Sequence, residues 1–144
     1  MRQQPLPKSA FPYFREVQTR WMDNDMYGHV NNAVYYSYFD TVINNYLREA
    51  KLIDAANGHL VGLAVETGCS YFSEISYPDI IHAGLRVGHL GRTSVRYEVG
   101  LFRGGAPLTA AFGRFTHAYV DRTTRKTLEL PAGMRDELRK LVVE

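Results

Sequence analysis

The sequence is poor in the residues that carry the most easily recognised chemistries. Its 144 residues hold one cysteine, Cys69, and one tryptophan. A lone cysteine cannot close an internal disulfide and has no neighbour with which to share a metal. In "ETGCSYF" it lies in an apparent strand, where its expected role is that of a small buried apolar side chain. No apolar run approaches the roughly 18 residues of a membrane span. The start "MRQQPLPKSAF" lacks the apolar core of a signal peptide, so a cytoplasmic chain is the expectation. Charge of one sign is also scarce. With a net charge of +2 and scattered arginines, the chain lacks the dense basic stripe of a nucleic-acid-binding protein, though a small anionic ligand remains compatible. There is no G-x-S-x-G elbow and no P-loop, and "GLFRGGAP" does not match a dinucleotide fingerprint. The histidines at 29, 59, 82, 89 and 117 show no metal-ligand spacing, so neither a metal nor a cofactor is expected.

What is present is an ordinary globular composition, 45% apolar and 22% charged, in a length that suits one domain. Residues 1–10, with Pro5 and Pro7, read as a flexible N-terminal arm, and residues 11–144 as the domain. Phe11, Tyr13, Val17 and Trp21 alternate with polar residues, the period of a half-buried strand. Tyr35, Phe39, Val42, Ile43, Tyr46, Leu47 and Ala50 then recur at three- and four-residue spacing. That predicts a helix of about five turns, with Asn31 or Asn32 as N-cap and a stop after a short extension at Gly58.

Strands are expected over Val61–Tyr71, Leu85–Leu90 and Val95–Leu101. A further one, Leu108–Val120, has apolar residues on both faces and reads as a central strand covered on both sides. Pro131 opens a short helix reaching about Val142. Short connections force antiparallel pairing, and an antiparallel sheet with one apolar helix is an α+β architecture.

Between the first strand and the long helix stands "WMDNDMYGHVNN", residues 21–32, with two aspartates, a histidine, a glycine and three asparagines. A turn and helix cap, or an active site built on a helix start, would each collect such residues. The unpaired N–H groups and positive dipole end of a helix N-terminus can stabilise an oxyanion, and a carboxylate a few residues earlier lies close to it. From the residues alone Asp25 reads first as a turn aspartate bonding to its own backbone. A carboxylate there, backbone N–H groups around Asn32 and a Gly28 that lets the chain approach a bound group closely would also suit such a site. Asp23 fits better as a loop-holding residue. Asp40 lies nine residues beyond Asn31, about 13 Å along the helix, too far to share one reacting carbonyl with Asp25 in the same chain; a buried or interface hydrogen-bonding role is expected for it.

The stretch "DNDMYGHVNNAVYYSYFD" resembles the D-x-D-x-x-G-H-V-N-N-x-x-Y signature of the hotdog-fold acyl-CoA thioesterases, which include 4-hydroxybenzoyl-CoA thioesterase and the bacterial YbgC-like enzymes. The likeness extends to "AYVDRTTRKTLELP", similar to the family's last strand and exit. It implies a hotdog fold and hydrolysis of acyl-CoA to free acid and CoA. Asp25 would be nucleophile or general base, with His29 and Asn32 in supporting roles. Gly28, Asn31, Arg92, Thr93 and Ser94 would contact substrate, the last three at a turn where relatives meet the coenzyme A nucleotide.

The resemblance further implies a homodimer or homotetramer with the site at the subunit interface. Two departures stand out. Tyr27 replaces an asparagine of the plant acyl-carrier-protein thioesterases, and Asn32 replaces a histidine of the YbgC-like enzymes. A hotdog hydratase and a non-catalytic acyl-thioester binder are the alternatives.

Overall fold

Helix α1 (Val34–Glu49) buries Tyr35, Tyr38, Phe39, Val42, Ile43, Tyr46 and Leu47, the three- and four-residue spacing that gives one continuous apolar face. That face lies against a sheet built from β1 (Tyr13–Gln18), β2 (Leu60–Tyr71), β3 (Ile80–Leu90), β4 (Ser94–Arg103) and β5 (Ala111–Asp121). The computed structural model describes residues 2–54 and 56–143. Among them the sheet has five strands in the order β1-β3-β4-β5-β2, every neighbouring pair antiparallel. This is the expected α+β hotdog arrangement. On β5 the Phe39 ring covers Gly113. A Cβ there would lie 2.5 Å from the ring, so the close approach needs glycine. A short helix α2 (Ala132–Arg139) closes one end of the core with Met134 and Leu138.

Several boundaries differ from those expected. The first strand stops at Gln18, and Trp21–Asp23 form a 3₁₀ turn instead of continuing it. The cause is local: the buried Asp23 carboxylate accepts the Arg20 backbone N–H at 2.9 Å and pulls the chain out of the ladder. Helix α1 ends at Glu49, not near Gly58, because Lys51 turns the chain in the left-handed region, with φ 59. Strand β3 begins at Ile80, five residues earlier than expected, since its start pairs with β1 from Gln18 onward. Pro131 is the N-cap of α2, which stops at Arg139 rather than Val142.

Strand β5 starts at Ala111 and is covered on both faces over residues 111–113 and again at Tyr119 and Val120; between them Arg114, Thr116 and Ala118 are half-buried on the outer face. The outer cover over the first of these stretches comes from the N-terminal segment, expected as a loose arm. Leu6 pairs with Thr109 through both backbone and side chain, Pro7 bridges Leu108, and Phe11 packs on Phe102 and Phe112.

Strand β2 is an edge. It pairs with β5 along one side, and no described strand lies along the other. A bulge between Ala64 and Glu66 leaves Val65 63% exposed, and Leu63 and Tyr71 on the same strand are also exposed.

Candidate functional site

The segment between β1 and α1 folds into a small tied loop. The Asp25 N–H donates to the His29 carbonyl at 2.8 Å, the Gly28 N–H to the Asp25 carbonyl at 3.1 Å, and Asn24 bridges Val30. Gly28 takes φ +82 at the exposed tip, with nothing within 4 Å of where a Cβ would be. The left-handed backbone of the turn by itself calls for glycine here.

Two anchors hold this loop to the body. The Asn31 N–H donates to the Asp23 carbonyl and the Val30 N–H to the Ile75 carbonyl, while Asn24 Oδ1 accepts the Tyr77 N–H. Asp23, 1% exposed, accepts from the Tyr38 hydroxyl at 2.6 Å and from the Arg20 backbone and guanidinium. Burial by itself would raise the Asp23 carboxyl. The bonds from Tyr38 and Arg20 outweigh that and hold it below its ordinary value. The Tyr38 hydroxyl is pushed well up by burial and by the carboxylate it serves.

This frame brings Asp25, His29 and Asn32 to one cleft of about 660 Å³, which Tyr27, Val30, Tyr35, Tyr71, Phe72, Ser73 and Glu74 complete. Asp25 Oδ1 accepts the Tyr27 N–H at 2.9 Å, and no described residue engages Oδ2. The recorded N-cap of α1 is Ala33, one or two residues after the expected Asn31 or Asn32. Asn31 still closes the turn into the helix: its Oδ1 accepts the Ala33 N–H at 2.9 Å and its carbonyl accepts the Val34 N–H. With the Ala33 N–H occupied, the N–H of the exposed Asn32, which has no acceptor among the described residues, is a free donor where α1 begins.

The supporting residues were only partly foreseen. His29 Nε2 lies 2.8 Å from Glu74 Oε2. The Tyr71 hydroxyl donates to the Asn32 carbonyl at 2.9 Å and its ring stands edge-on to Tyr35, holding the peptide between Asn32 and Ala33 that follows the free Asn32 N–H. Glu74 and Tyr71 were not anticipated, and nothing in the local sequence marks Glu74. Tyr71 was legible only as the last alternating position of a strand.

Arg92, Thr93 and Ser94 do not join this cleft within the chain. They form the turn from β3 into β4, whereas the Asp25 cleft lies near the far end of the sheet, a β4 length of ten residues or roughly 30 Å away. Arg92 is exposed, 4.0 Å from Glu129, and the Thr93 carbonyl accepts the Tyr119 N–H. Asp40, expected to be buried or at an interface, is exposed on α1 and holds Asn44 Nδ2 at 3.0 Å. Cys69 is partly buried, and burial pushes its thiol up to about 11, an unreactive state.

Residues 17–138 match the Thioesterase-like superfamily. The chain belongs to that superfamily. Across 98% of this chain and 99% of the other, it superimposes on the PA5185 protein of Pseudomonas aeruginosa with a TM-score of 0.94 and 40% identity. A second fold match, at 15% identity and a TM-score of 0.80, is Slr0204, a 1,4-dihydroxy-2-naphthoyl-CoA thioesterase from Synechocystis, with 90% of this chain and 96% of that one covered. Among curated sequences it is 23% identical over 88 residues to the uncharacterized protein YsmA of Bacillus subtilis, a match spanning 61% of this chain and 59% of the relative's length. The cleft sets the Asp25 carboxylate and the start of α1 at Asn32 side by side. No described helix is long and apolar enough to cross a membrane.

Proposed function

We propose that this protein hydrolyses acyl-CoA thioesters to the free acid and CoA, with Asp25 as the attacking or deprotonating carboxylate. The observation that carries the reading is the pairing, in one cleft, of the open Asp25 Oδ2 with the unpaired Asn32 N–H at the start of α1. In the general-base form, Asp25 takes a proton from water while the water oxygen adds to the thioester carbonyl carbon. The carbonyl oxygen, now carrying the charge, is met by the Asn32 N–H and the helix dipole. The C–S bond then breaks, the thiolate leaves, and the proton held by Asp25 returns to it. In the nucleophilic form, Asp25 adds to the carbonyl itself, and the C–S bond breaks to release the thiolate and leave a mixed anhydride. Water then hydrolyses the anhydride to the free acid and the Asp25 carboxylate, its proton passing to the thiolate. A CoA ester is favoured over other thioesters by the activity that names the Synechocystis neighbour.

The reading includes a symmetric dimer formed through the free edge of β2. The unpaired edge, its exposed Leu63, Val65 and Tyr71, and the exposed Trp21, Met22, Met26 and Tyr27 beside the cleft form apolar surface that a second copy would cover. Met26, at 88%, is the most exposed of these. Free-thiol release from a panel of acyl-CoA esters, compared between wild type and Asp25→Asn, tests the assignment. Full retention of thiol release by the variant would refute it, and water addition to enoyl-CoA without thiol release would favour the hydratase alternative.

A further inference from the structure

His117 is the buried polar side chain that the chemistry above leaves unused. It sits on the helix-facing side of β5, 5% exposed, ringed edge-on by Tyr97 and Phe115. Neither ring nitrogen bonds to any described residue, and since no fully enclosed side-chain nitrogen or oxygen among the described residues lacks a partner, the ring nitrogens keep some accessible surface. Burial lowers its proton affinity, outweighing the opposing pull of Asp40, so the ring is a neutral imidazole with one donor and one acceptor. Nδ1 lies beside Gly62, where a Cβ would come within 3.3 Å of it. The ring lines a cavity of about 190 Å³ shared with Asn44, Leu47, Leu60, Tyr119 and the oppositely charged Asp54 and Arg122. A cavity of about 150 Å³ suffices for a benzene-sized guest.

This cavity cannot serve the Asp25 cleft of its own chain at short range. Asn44 lies twelve residues beyond Asn32 along α1, about 18 Å away. A symmetric dimer changes the distance. A two-fold axis normal to the sheet makes the two β2 strands antiparallel and keeps both helices on the same face. With the axis at the middle of β2, Leu60 of one copy faces Tyr71 of the other across one interstrand spacing of about 4.8 Å. Leu60 stands at the cavity and Tyr71 at the cleft, and both openings are on the helix-bearing face.

We propose that the His117 cavity of each subunit receives the distal end of the acyl group whose thioester is held by Asp25 and Asn32 of the other subunit. There His117 selects acyl groups ending in a neutral hydrogen-bonding group, such as a hydroxyl. The assignment rests on the thioesterase reading above. It adds a specificity residue, supplied in trans, and a substrate class: acyl thioesters with an apolar stem and a polar, uncharged end. A plain aliphatic end would leave the buried imidazole unpaired, whereas a hydroxyl can both donate to it and accept from it.

The test measures kcat/KM for a ladder of straight-chain acyl-CoA esters and their ω-hydroxy counterparts. Wild type is expected to favour the hydroxylated member at the chain length that reaches the cavity, by about fivefold or more. His117→Leu should abolish or invert that ratio. Mixed dimers then assign the subunit: one chain carries Asp25→Asn, the other His117→Leu, with different affinity tags for isolation. In trans, the surviving site combines an intact Asp25 with an intact His117, and the wild-type ratio returns.

A ratio unchanged by His117→Leu overturns the proposal, and so does a mixed dimer that keeps the variant's ratio. Should His117→Leu not fold, Leu60→Trp at the cavity mouth takes its place. It is expected to cut off the longer esters, with the cutoff relieved in the same mixed dimer; an unaltered chain-length profile overturns the proposal. Failure of the thioesterase reading has a different signature, no thiol release by wild type from any ester, and the proposal falls with it.

Discussion

At Asp25 a turn role is compatible with the proposed chemical role because a carboxylate has two oxygens. Oδ1 accepts the Tyr27 N–H and shapes the loop; Oδ2 is open to the cleft. Asn can make the same turn bond through its amide oxygen but cannot attack or take a proton. Asp25→Asn should therefore lower kcat by about a hundredfold or more while leaving the melting temperature within about 2 °C of wild type, as measured by steady-state thiol release and calorimetry. Asp23 is the contrasting case, since its carboxylate is consumed by Tyr38 and Arg20. Removing it in Asp23→Ala strands a buried hydroxyl and is expected to cost about 3 kcal/mol, or roughly 10 °C in melting temperature. The same residue sets an acid limit. Its folded-state carboxyl lies below the ordinary 3.8, so its contribution is fully present above that value and is lost as pH falls through the lower folded one. Acid unfolding followed by circular dichroism should shift to higher pH in Tyr38→Phe, which removes a bond that lowers it.

At the scale of elements, the helix start and the edge strand carry the functional consequences. The sequence marks α1 through its spacing, and the buried residues are those the pattern names. The start of α1 was displaced by one or two residues because Asn31 reaches forward to the Ala33 N–H without itself being the N-cap. That small displacement decides which N–H remains for an oxyanion. Strand β2 was legible as a strand from its alternation, but not as an edge, since edge or centre depends on which distant strands pair. A lysine on a free edge blocks strand addition by burying charge against a neighbouring backbone. Val65→Lys should weaken self-association by about tenfold or more in sedimentation velocity, equivalent to about 1.4 kcal/mol, with little change in the stability of the isolated chain because Val65 is already exposed.

For the whole molecule, the proposed interface site implies activity that depends on association. Specific activity should fall when the enzyme is diluted below its dimer dissociation constant, and Val65→Lys should raise the concentration at which the fall begins; progress curves over a dilution series measure both. The amino-acid order alone determined the helix, the antiparallel strands and the tied loop before α1, because apolar periodicity and short polar turns act over a few residues. It also named Asp25, His29 and Asn32, which the chain folds into one cleft because they lie within eight positions of each other. Tertiary structure decided what depends on residues far apart in the chain. It brought Tyr71 and Glu74 from the end of β2 to the cleft and put the Arg92 turn at the other end of the sheet. It also left His117 unpaired beside Gly62 and exposed one edge of β2. Strand pairing and burial join positions separated by tens of residues, and no local pattern of side chains encodes which of them will meet.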